Sequence, residues 1–132
     1  MKGLLSPVDP FEILSRYLMS RSLFRKRDNT VKYQAFMPPP NLKLSVFRTS
    51  NLSNSQIWEI GRQIASSQCP PRNLYGRADL QALEVLKCGL QIDPDDNPPR
   101  HANIIGWPQE KSEQKLKAMK LAEAAKLVLV QP

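Results

Sequence analysis

The sequence has few of the residues from which metal sites and nucleotide-binding loops are built. Its 132 residues include two cysteines, one histidine and five glycines. A closed zinc site would need Cys69, Cys88 and His101 together with a carboxylate, and no CxxC or HxxxH spacing supports one. The scattered glycines form no glycine-rich phosphate loop. We therefore expect no metal and no other cofactor.

Long apolar runs are also missing. No segment approaches the roughly eighteen consecutive apolar residues of a membrane-spanning helix. The apolar run within residues 1–7 is far too short for a secretory signal. In a chain without export signals, two distant cysteines are expected to remain reduced thiols. We therefore expect a cytoplasmic protein that does not enter a membrane.

Two further chemistries lack their usual motifs. Hydrolysis by a serine lacks the Gly-x-Ser-x-Gly turn, and the lone histidine would have to serve any serine or cysteine nucleophile. The acidic residues Asp93, Asp95 and Asp96 resemble a calcium loop only superficially. Pro94 interrupts them, and the glycine and distal glutamate of an EF-hand are missing. A polar turn is the simpler interpretation.

The composition is that of a folded protein. Hydrophobic residues make up 41% of the chain and charged residues 23%, which is close to globular averages and excludes wholesale disorder. The length suits one domain, over residues 1–132, rather than two. Within it, we expect residues 1–9 to be a loose lead-in and residues 21–41 to be a basic, proline-containing connection.

Two segments carry clear local signals. Apolar residues alternate with polar ones through Leu44 and Val46, and this period of two predicts a strand that ends at Arg48. Ser53 and Gln56 have the spacing of a capping box, which predicts that a helix begins there.

Two longer helices are predicted nearer the ends of the chain. Asp9-Pro10 fits a helix N-terminus, and the apolar residues that follow it recur at helical spacing, which predicts a helix near residues 10–22. A continuous apolar stripe through Leu121 and Ala125 predicts a long final helix over residues 109–129.

Shorter elements complete an α+β fold with a small sheet of three to five short strands packed with three or four helices. Gly89 fits the left-handed position that follows a helix. The remaining predicted elements are an edge strand at 31–36, a Pro38-Pro39-Pro40 spacer, strands at 73–78 and around Leu90 and Ile92, a helix from 79 or 80 to 87, and a buried strand around Ile104 and Ile105 that stops at Pro108.

The charge is strongly positive and unevenly distributed. The chain carries 19 basic and 12 acidic residues, a formal net charge of +7. Residues 1–50 contain nine of the basic and three of the acidic residues, whereas residues 51–100 contain five and six. A positive field of this kind attracts polyanions, among them nucleic acid, acidic proteins and anionic lipid surfaces.

The basic stretch of the first third is the candidate nucleic-acid-binding segment. Phe24 lies among cations, a combination that lets a base stack on the ring while phosphates are neutralised. The alternative is a solvated loop from which Leu23 and Phe24 fold back into the core. The candidate binding residues are Arg21, Phe24, Arg25, Lys26, Arg27 and Lys32.

A second candidate site involves residues predicted near strand ends. Metal-independent cleavage of a phosphodiester needs a proton acceptor and fixed positive charge, which His101 and nearby arginines can supply if the strand ends converge. Alternatively, the arginines pair with aspartates and His101 caps a strand, or the site binds anions without chemistry. The candidate catalytic residues are His101, Arg100, Arg48, Arg77 and Tyr75.

The sequence thus favours a small basic cytoplasmic module that binds RNA or DNA as an accessory subunit. A metal-independent nuclease or related transferase is one alternative, and a structural protein-interaction subunit is another. Binding without catalysis is favoured over an enzymatic function. Trp58 and Trp107 are either core residues or anchors on a partner protein.

Overall fold

The computed structural model describes residues 3–131 as an antiparallel sheet with three α-helices and a small hairpin. Two short 3-10 turns, Arg21–Leu23 and Tyr33–Phe36, flank the hairpin. The elements, in chain order, are β1 (Ile13–Leu18), β2 (Phe24–Arg25), β3 (Thr30–Val31), β4 (Leu44–Arg48), α1 (Asn54–Ser67), β5 (Gly76–Gln81), α2 (Ala82–Lys87), β6 (Gln91–Pro94), β7 (His101–Ile105), α3 (Lys111–Ala124) and β8 (Lys126–Leu129).

The main sheet has six strands in the order β6-β7-β4-β1-β5-β8, and every neighbouring pair is antiparallel. β1 is central, with Leu14 opposite Arg48 on β4 and opposite Leu80 on β5. β2 and β3 form a separate two-stranded hairpin, with Phe24 opposite Val31. The fold is therefore α+β, and its strands outnumber the three to five predicted from the sequence.

The two faces of the sheet bury different residues because successive side chains of a strand point to opposite sides. Leu14 and Leu18 of β1 belong to the larger core, together with Leu121 of α3. Tyr17 of the same strand belongs to a smaller core with Ile57 and other residues of α1. The sheet therefore separates α3 from α1.

Helix α1 begins as the sequence predicts. The Ser53 hydroxyl accepts the backbone N–H of Gln56 at 3.2 Å, and the Gln56 side chain accepts the N–H of Ser53 at 3.0 Å. This reciprocal pair satisfies two backbone donors that the first turn of a helix leaves free. Gly89, also as predicted, has a φ of +75° just beyond α2. No helix within residues 3–131 has the length and apolar character needed to cross a membrane.

The predicted helix at residues 10–22 is wrong, because residues 13–18 form the central strand. Asp9 does make local hydrogen bonds, but they close a single turn over Phe11, whose side chain is 69% exposed. β1 buries apolar residues on both faces, at Leu14 and Tyr17, so its pattern does not alternate simply. A strand buried on two sides can match helical spacing by chance.

The predicted helix at residues 109–129 is too long. α3 ends at Ala124, and the chain then forms β8, which pairs with β5 through Leu127 opposite Ala78. No glycine or proline marks this change. The β-branched residue Val128 favours a strand, but the pairing that makes use of it comes from a distant part of the chain.

The smaller elements also differ in their limits. The predicted edge strand at 31–36 is wrong beyond Val31, since a 3-10 turn follows. β5 begins at Gly76 rather than at 73, and α2 begins at Ala82 rather than at 79 or 80. Residues 21–41, expected to be a connection, contain the hairpin and both 3-10 turns.

Candidate functional site

The basic hairpin and the segment before β5 line one surface cavity of about 540 Å³. Arg21, Phe24 and Lys26 contribute from the hairpin side, and Tyr75 contributes from just before β5. Leu129 and Val130 at the C-terminal end of β8 complete the lining. Three residues of the predicted nucleic-acid-binding segment therefore share a cavity.

Two aromatic rings and two cations line this cavity. The guanidinium carbon of Arg21 lies 5.1 Å from the centre of the Tyr75 ring, within the range of a cation–π contact. Tyr75 is anchored by its backbone, which donates to Leu18 and accepts from Val130. Phe24 is half-buried and packs against the larger core while it lines the cavity. Phe24 therefore packs against the core, as the alternative interpretation expects, and also lines the cavity.

The other predicted binding residues lie along the same hairpin. Arg25 ends β2, and Lys26 and Arg27 enter the turn that leads to β3; all three side chains are exposed. Their exposure leaves them free to approach a phosphate. Lys32 is half-buried directly after β3, where its backbone N–H donates to the carbonyl of Leu23 at 2.9 Å.

Arg48, a predicted catalytic residue, is wholly engaged in the fold. Its side chain is 1% exposed and binds both carboxylate oxygens of Glu12, each at 2.8 Å. Its remaining donors reach the backbone carbonyls of Leu4, Ser6 and Pro7. All five N–H groups of the guanidinium thus have acceptors, so no donor is left for a substrate phosphate.

These contacts fasten part of the segment expected to be a loose lead-in. The Leu4 N–H also donates to Asp96 at 2.5 Å, which links the segment to the loop after β6. Residues 1 and 2 of the predicted lead-in lie outside the described residues.

Arg100 and His101 lie beside the end of β4 but point into different surroundings. The Arg100 side chain donates to the carbonyl of Arg48 at 3.1 Å, and Arg100 has a φ of +72°. His101 pairs with Phe47 across the β4–β7 ladder and contacts its ring edge-on at 5.2 Å. Phe47 and Arg48 are consecutive residues of β4, so their side chains point to opposite faces of the sheet. His101, which pairs with Phe47, therefore lies on the face opposite the Arg48 side chain.

Arg77 is held on the α1 face of the sheet. Its Nε lies 3.0 Å from a carboxylate oxygen of Asp79, and its Nη2 donates to Asn54 at 2.9 Å. Its guanidinium also lies 4.5 Å above the Trp58 ring. The buried Nη1 has no hydrogen-bond partner within residues 3–131.

The five predicted catalytic residues therefore do not surround one point. Arg48, Arg100 and His101 share one end of β4, whereas Arg77 lies opposite Tyr17, toward the other end of β1. Tyr75 belongs to the hairpin cavity. The antiparallel order of β1, β4 and β5 separates strand positions that were expected to converge.

Two residues that the sequence does not predict as site residues lie against His101 in the structure. Ser45 Oγ lies 2.6 Å from His101 Nε2, and Asp95 Oδ1 lies 2.7 Å from His101 Nδ1. Ser45 is an outward position of a correctly predicted strand, and Asp95 lies in the segment interpreted as a polar turn. The spacing of Ser45 and Asp95 in the sequence does not predict this contact. The only signal is that the single histidine of the chain precedes a predicted buried strand.

The two tryptophans differ in burial. Trp107 is 5% exposed, belongs to the larger core and donates its Nε1–H to the carbonyl of Ile104 at 2.9 Å. Trp58 is half-buried beneath Arg77. Trp107 is therefore a core residue.

Within residues 3–131, no group of three or more histidine, cysteine, aspartate or glutamate residues is arranged to hold a metal ion. Comparisons of the chain with protein-family models, with curated proteins and with solved structures find no match.

Proposed function

We propose that the protein binds single-stranded RNA or DNA through the cavity between the hairpin and Tyr75. The observation that carries the proposal is the shared lining of this cavity by Phe24, Tyr75, Arg21 and Lys26. Aromatic rings accept unpaired bases by stacking, and neighbouring cations neutralise the phosphates between those bases. These residues bring both functions to one place.

The exposed cations of the hairpin extend this surface. Arg25, Lys26 and Arg27 follow one another at the tip, and none forms an ion pair within the described residues. Positive charge without a protein counter-ion remains available to a polyanion. A base can stack in the cavity while the cations of the hairpin tip bind the phosphates next to it.

Single strands fit this arrangement better than duplexes do. Within a duplex, the bases already stack on one another and would have to be unstacked to reach Phe24 or Tyr75. Stacking on aromatic side chains also tolerates any base, because each base has a flat face. We therefore expect binding with little sequence preference.

The experiment is a fluorescence-anisotropy titration of labelled single-stranded RNA, single-stranded DNA and duplex DNA at several salt concentrations. The proposal predicts tighter binding of the single strands and an affinity that falls steeply with salt. If duplex DNA binds as tightly as the single strands, stacking of unpaired bases does not contribute to binding. Binding of an acidic polypeptide alone would instead support a protein-interaction subunit.

A further inference from the structure

Ser45, His101 and Asp95 form a continuous chain of hydrogen bonds on the face of the sheet opposite the larger core. Ser45 lies on β4 and His101 on β7, two neighbouring strands. The two distances within the chain are 2.6 Å and 2.7 Å. Asp95 is itself held by the backbone N–H of Asn97 and the side chain of Asn103, each at 3.1 Å. Each group is thus oriented by the next.

The direction of the hydrogen bonds follows from the charge of Asp95. Burial tends to raise the pKa of Asp95, but the hydrogen bonds from His101 and Asn97 outweigh it and hold that pKa below its ordinary value. An ionised carboxylate only accepts hydrogen bonds, so His101 Nδ1 carries the proton. The opposite nitrogen, Nε2, then accepts from the Ser45 hydroxyl. This is the arrangement in which an imidazole can remove a serine proton.

Ser45 also lines a cavity of about 260 Å³, together with Arg16, Phe47 and Arg72. β1 and β4 pair directly only at two positions near Ser15. Beyond them, the Arg16 guanidinium donates to the carbonyl of Ser45 at 3.0 Å. A fixed positive charge therefore lies beside the backbone carbonyl of Ser45.

The charge of Arg16 has no counter-ion in the protein. Burial lowers the pKa of Arg16 to about 10, so the side chain is still protonated at neutral pH. Within residues 3–131, no carboxylate oxygen comes within 4.0 Å of its guanidinium. Arg16 is half-buried, and a charge partly removed from water is stabilised by a partner of opposite charge. The cavity beside Ser45 is therefore suited to a negatively charged group.

We propose that Ser45, His101 and Asp95 form a hydrolytic site for small carboxylic esters that carry a negative charge. Ser45 Oγ forms a bond to the ester carbonyl carbon while His101 Nε2 takes its proton. The bond from that carbon to the alcohol oxygen then breaks, and His101 returns the proton to the departing alcohol. This leaves the acyl group on Ser45.

Water completes the reaction by the same route. A water molecule attacks the acyl carbon, and His101 takes one of its protons. The bond from the carbon to Ser45 Oγ breaks, the serine regains its proton from His101, and the carboxylic acid leaves. Asp95 stabilises the charged imidazole in both halves without itself gaining a proton.

Arg16 and Arg72 have different electrostatic roles in the proposed site. Arg16 extends from the larger-core side of β1, as Leu14 and Leu18 do, and hydrogen bonds to the backbone carbonyls of Ser45 and Ala35 fix its guanidinium. Because Arg16 and Ser45 line the same cavity, this charge can stabilise an oxyanion that develops there on the carbonyl oxygen. Arg72 is exposed at the cavity, with one long hydrogen bond of 3.5 Å to Met19. It is free to bind the negative charge of the substrate. The site does not depend on nucleic-acid binding at the hairpin.

The first test is labelling of the intact protein with a fluorophosphonate, followed by mass spectrometry of its peptides. The serine oxygen displaces fluoride from phosphorus, so the probe reports an activated serine whatever the natural substrate is. The expected result is a single label on Ser45 that is lost in Ser45→Ala and retained in Ser66→Ala, an exposed serine of α1. Folded protein that leaves Ser45 unlabelled would overturn the proposal.

The second test separates the roles by hydrolysis of two p-nitrophenyl esters, the neutral acetate and the monoester of glutaric acid. His101→Gln should lower kcat on both esters by about 100-fold or more, the usual contribution of a general base. Arg72→Ala should raise KM for the glutarate ester by a larger factor than KM for the neutral acetate. Equal rates for the wild type and Ser45→Ala would contradict the assignment, provided that both proteins melt at similar temperatures.

Discussion

The guanidinium of Arg21 lies over the ring of Tyr75, 5.1 Å from its centre, and thereby joins the hairpin region to the strand that follows α1. Arg21 belongs to the 3-10 turn before β2, and Tyr75 immediately precedes β5. A run of positive charge in the sequence predicts Arg21 as a binding residue, whereas Tyr75 is predicted for a different site. The contact places both in the same cavity.

We predict that Tyr75→Ala weakens binding of single-stranded RNA and DNA by about 1–3 kcal/mol, the usual contribution of stacking one base on an aromatic side chain. Tyr75→Phe is the control, because it retains the ring and removes only the hydroxyl that Asn73 contacts. It should bind like the wild type. Fluorescence anisotropy gives both dissociation constants, and an unchanged Kd for Tyr75→Ala would remove the ring from the binding surface.

The ion pair between Glu12 and Arg48 should make stability depend on pH. Burial tends to raise the pKa of Glu12, but hydrogen bonds from Arg48 and Asp9 and the charge of Arg48 keep it below the ordinary value of 4.5. A lowered pKa in the folded state means that the ion pair contributes stability above that ordinary value. The contribution is lost as the pH falls through the folded-state pKa.

Glu12→Ala should therefore lower the free energy of unfolding by about 3–5 kcal/mol at neutral pH, because it leaves Arg48 buried without its partner. Urea unfolding between pH 7 and pH 3 should show the difference from wild type shrinking on the acid side. Glu123→Ala, which removes an exposed carboxylate at the end of α3, is the control. The same deficit at pH 3 as at pH 7 would contradict the assigned role of the ion pair.

Helix α3 offers a matched pair of leucines for testing the core. Leu121 is fully buried and Leu116 is 61% exposed on the same helix. Leu121→Ala should cost about 2–4 kcal/mol of unfolding free energy, since it removes buried methyl groups and leaves a cavity. Leu116→Ala should cost less than about 0.5 kcal/mol, the range usual for surface positions. Similar losses of unfolding free energy at Leu121 and Leu116 would mean that α3 turns a different face toward the core.

The two cysteines should differ in reactivity toward iodoacetamide. Cys69 is exposed, whereas Cys88 is half-buried and burial raises the pKa of its thiol. The thiolate is the reactive form, so a raised pKa leaves less of it at neutral pH. Peptide mass spectrometry over time should show Cys69 alkylated first. Faster reaction at Cys88 would contradict its surroundings as described.

Local signals were the part of the fold that the sequence could predict. Ser53 and Gln56 form the expected capping box, and Gly89 takes the expected left-handed conformation, because each depends on only a few adjacent residues. β1 and β8 were misassigned because their conformation depends on distant partners. β1 lies between β4 and β5, and β8 exists only where β5 offers its free edge.

In the candidate sites, too, only the features that depend on adjacent residues could be predicted from the sequence. Phe24 stands among cations in the sequence, so the basic segment could be proposed as a binding site without any structure. Tyr75 joins it only through the folded sheet. Ser45, Asp95 and His101 lie on three separate elements or loops, and only the pairing of β6, β7 and β4 brings them into hydrogen-bond distance.

The salt dependence of single-strand binding by Arg25→Ala/Lys26→Ala/Arg27→Ala is the most direct test of the proposed function. Single-strand affinity changes with a slope of about 0.7 in log Kd against log salt for each phosphate contact. The triple variant should therefore bind more weakly and lose about two units of slope if all three cations contact phosphates. Lys43→Ala/Arg62→Ala/Lys87→Ala removes the same charge from exposed positions outside the cavity and should keep the wild-type slope. Equal slopes for the two triple variants would show that net charge, and not the hairpin, determines binding, and would contradict the account.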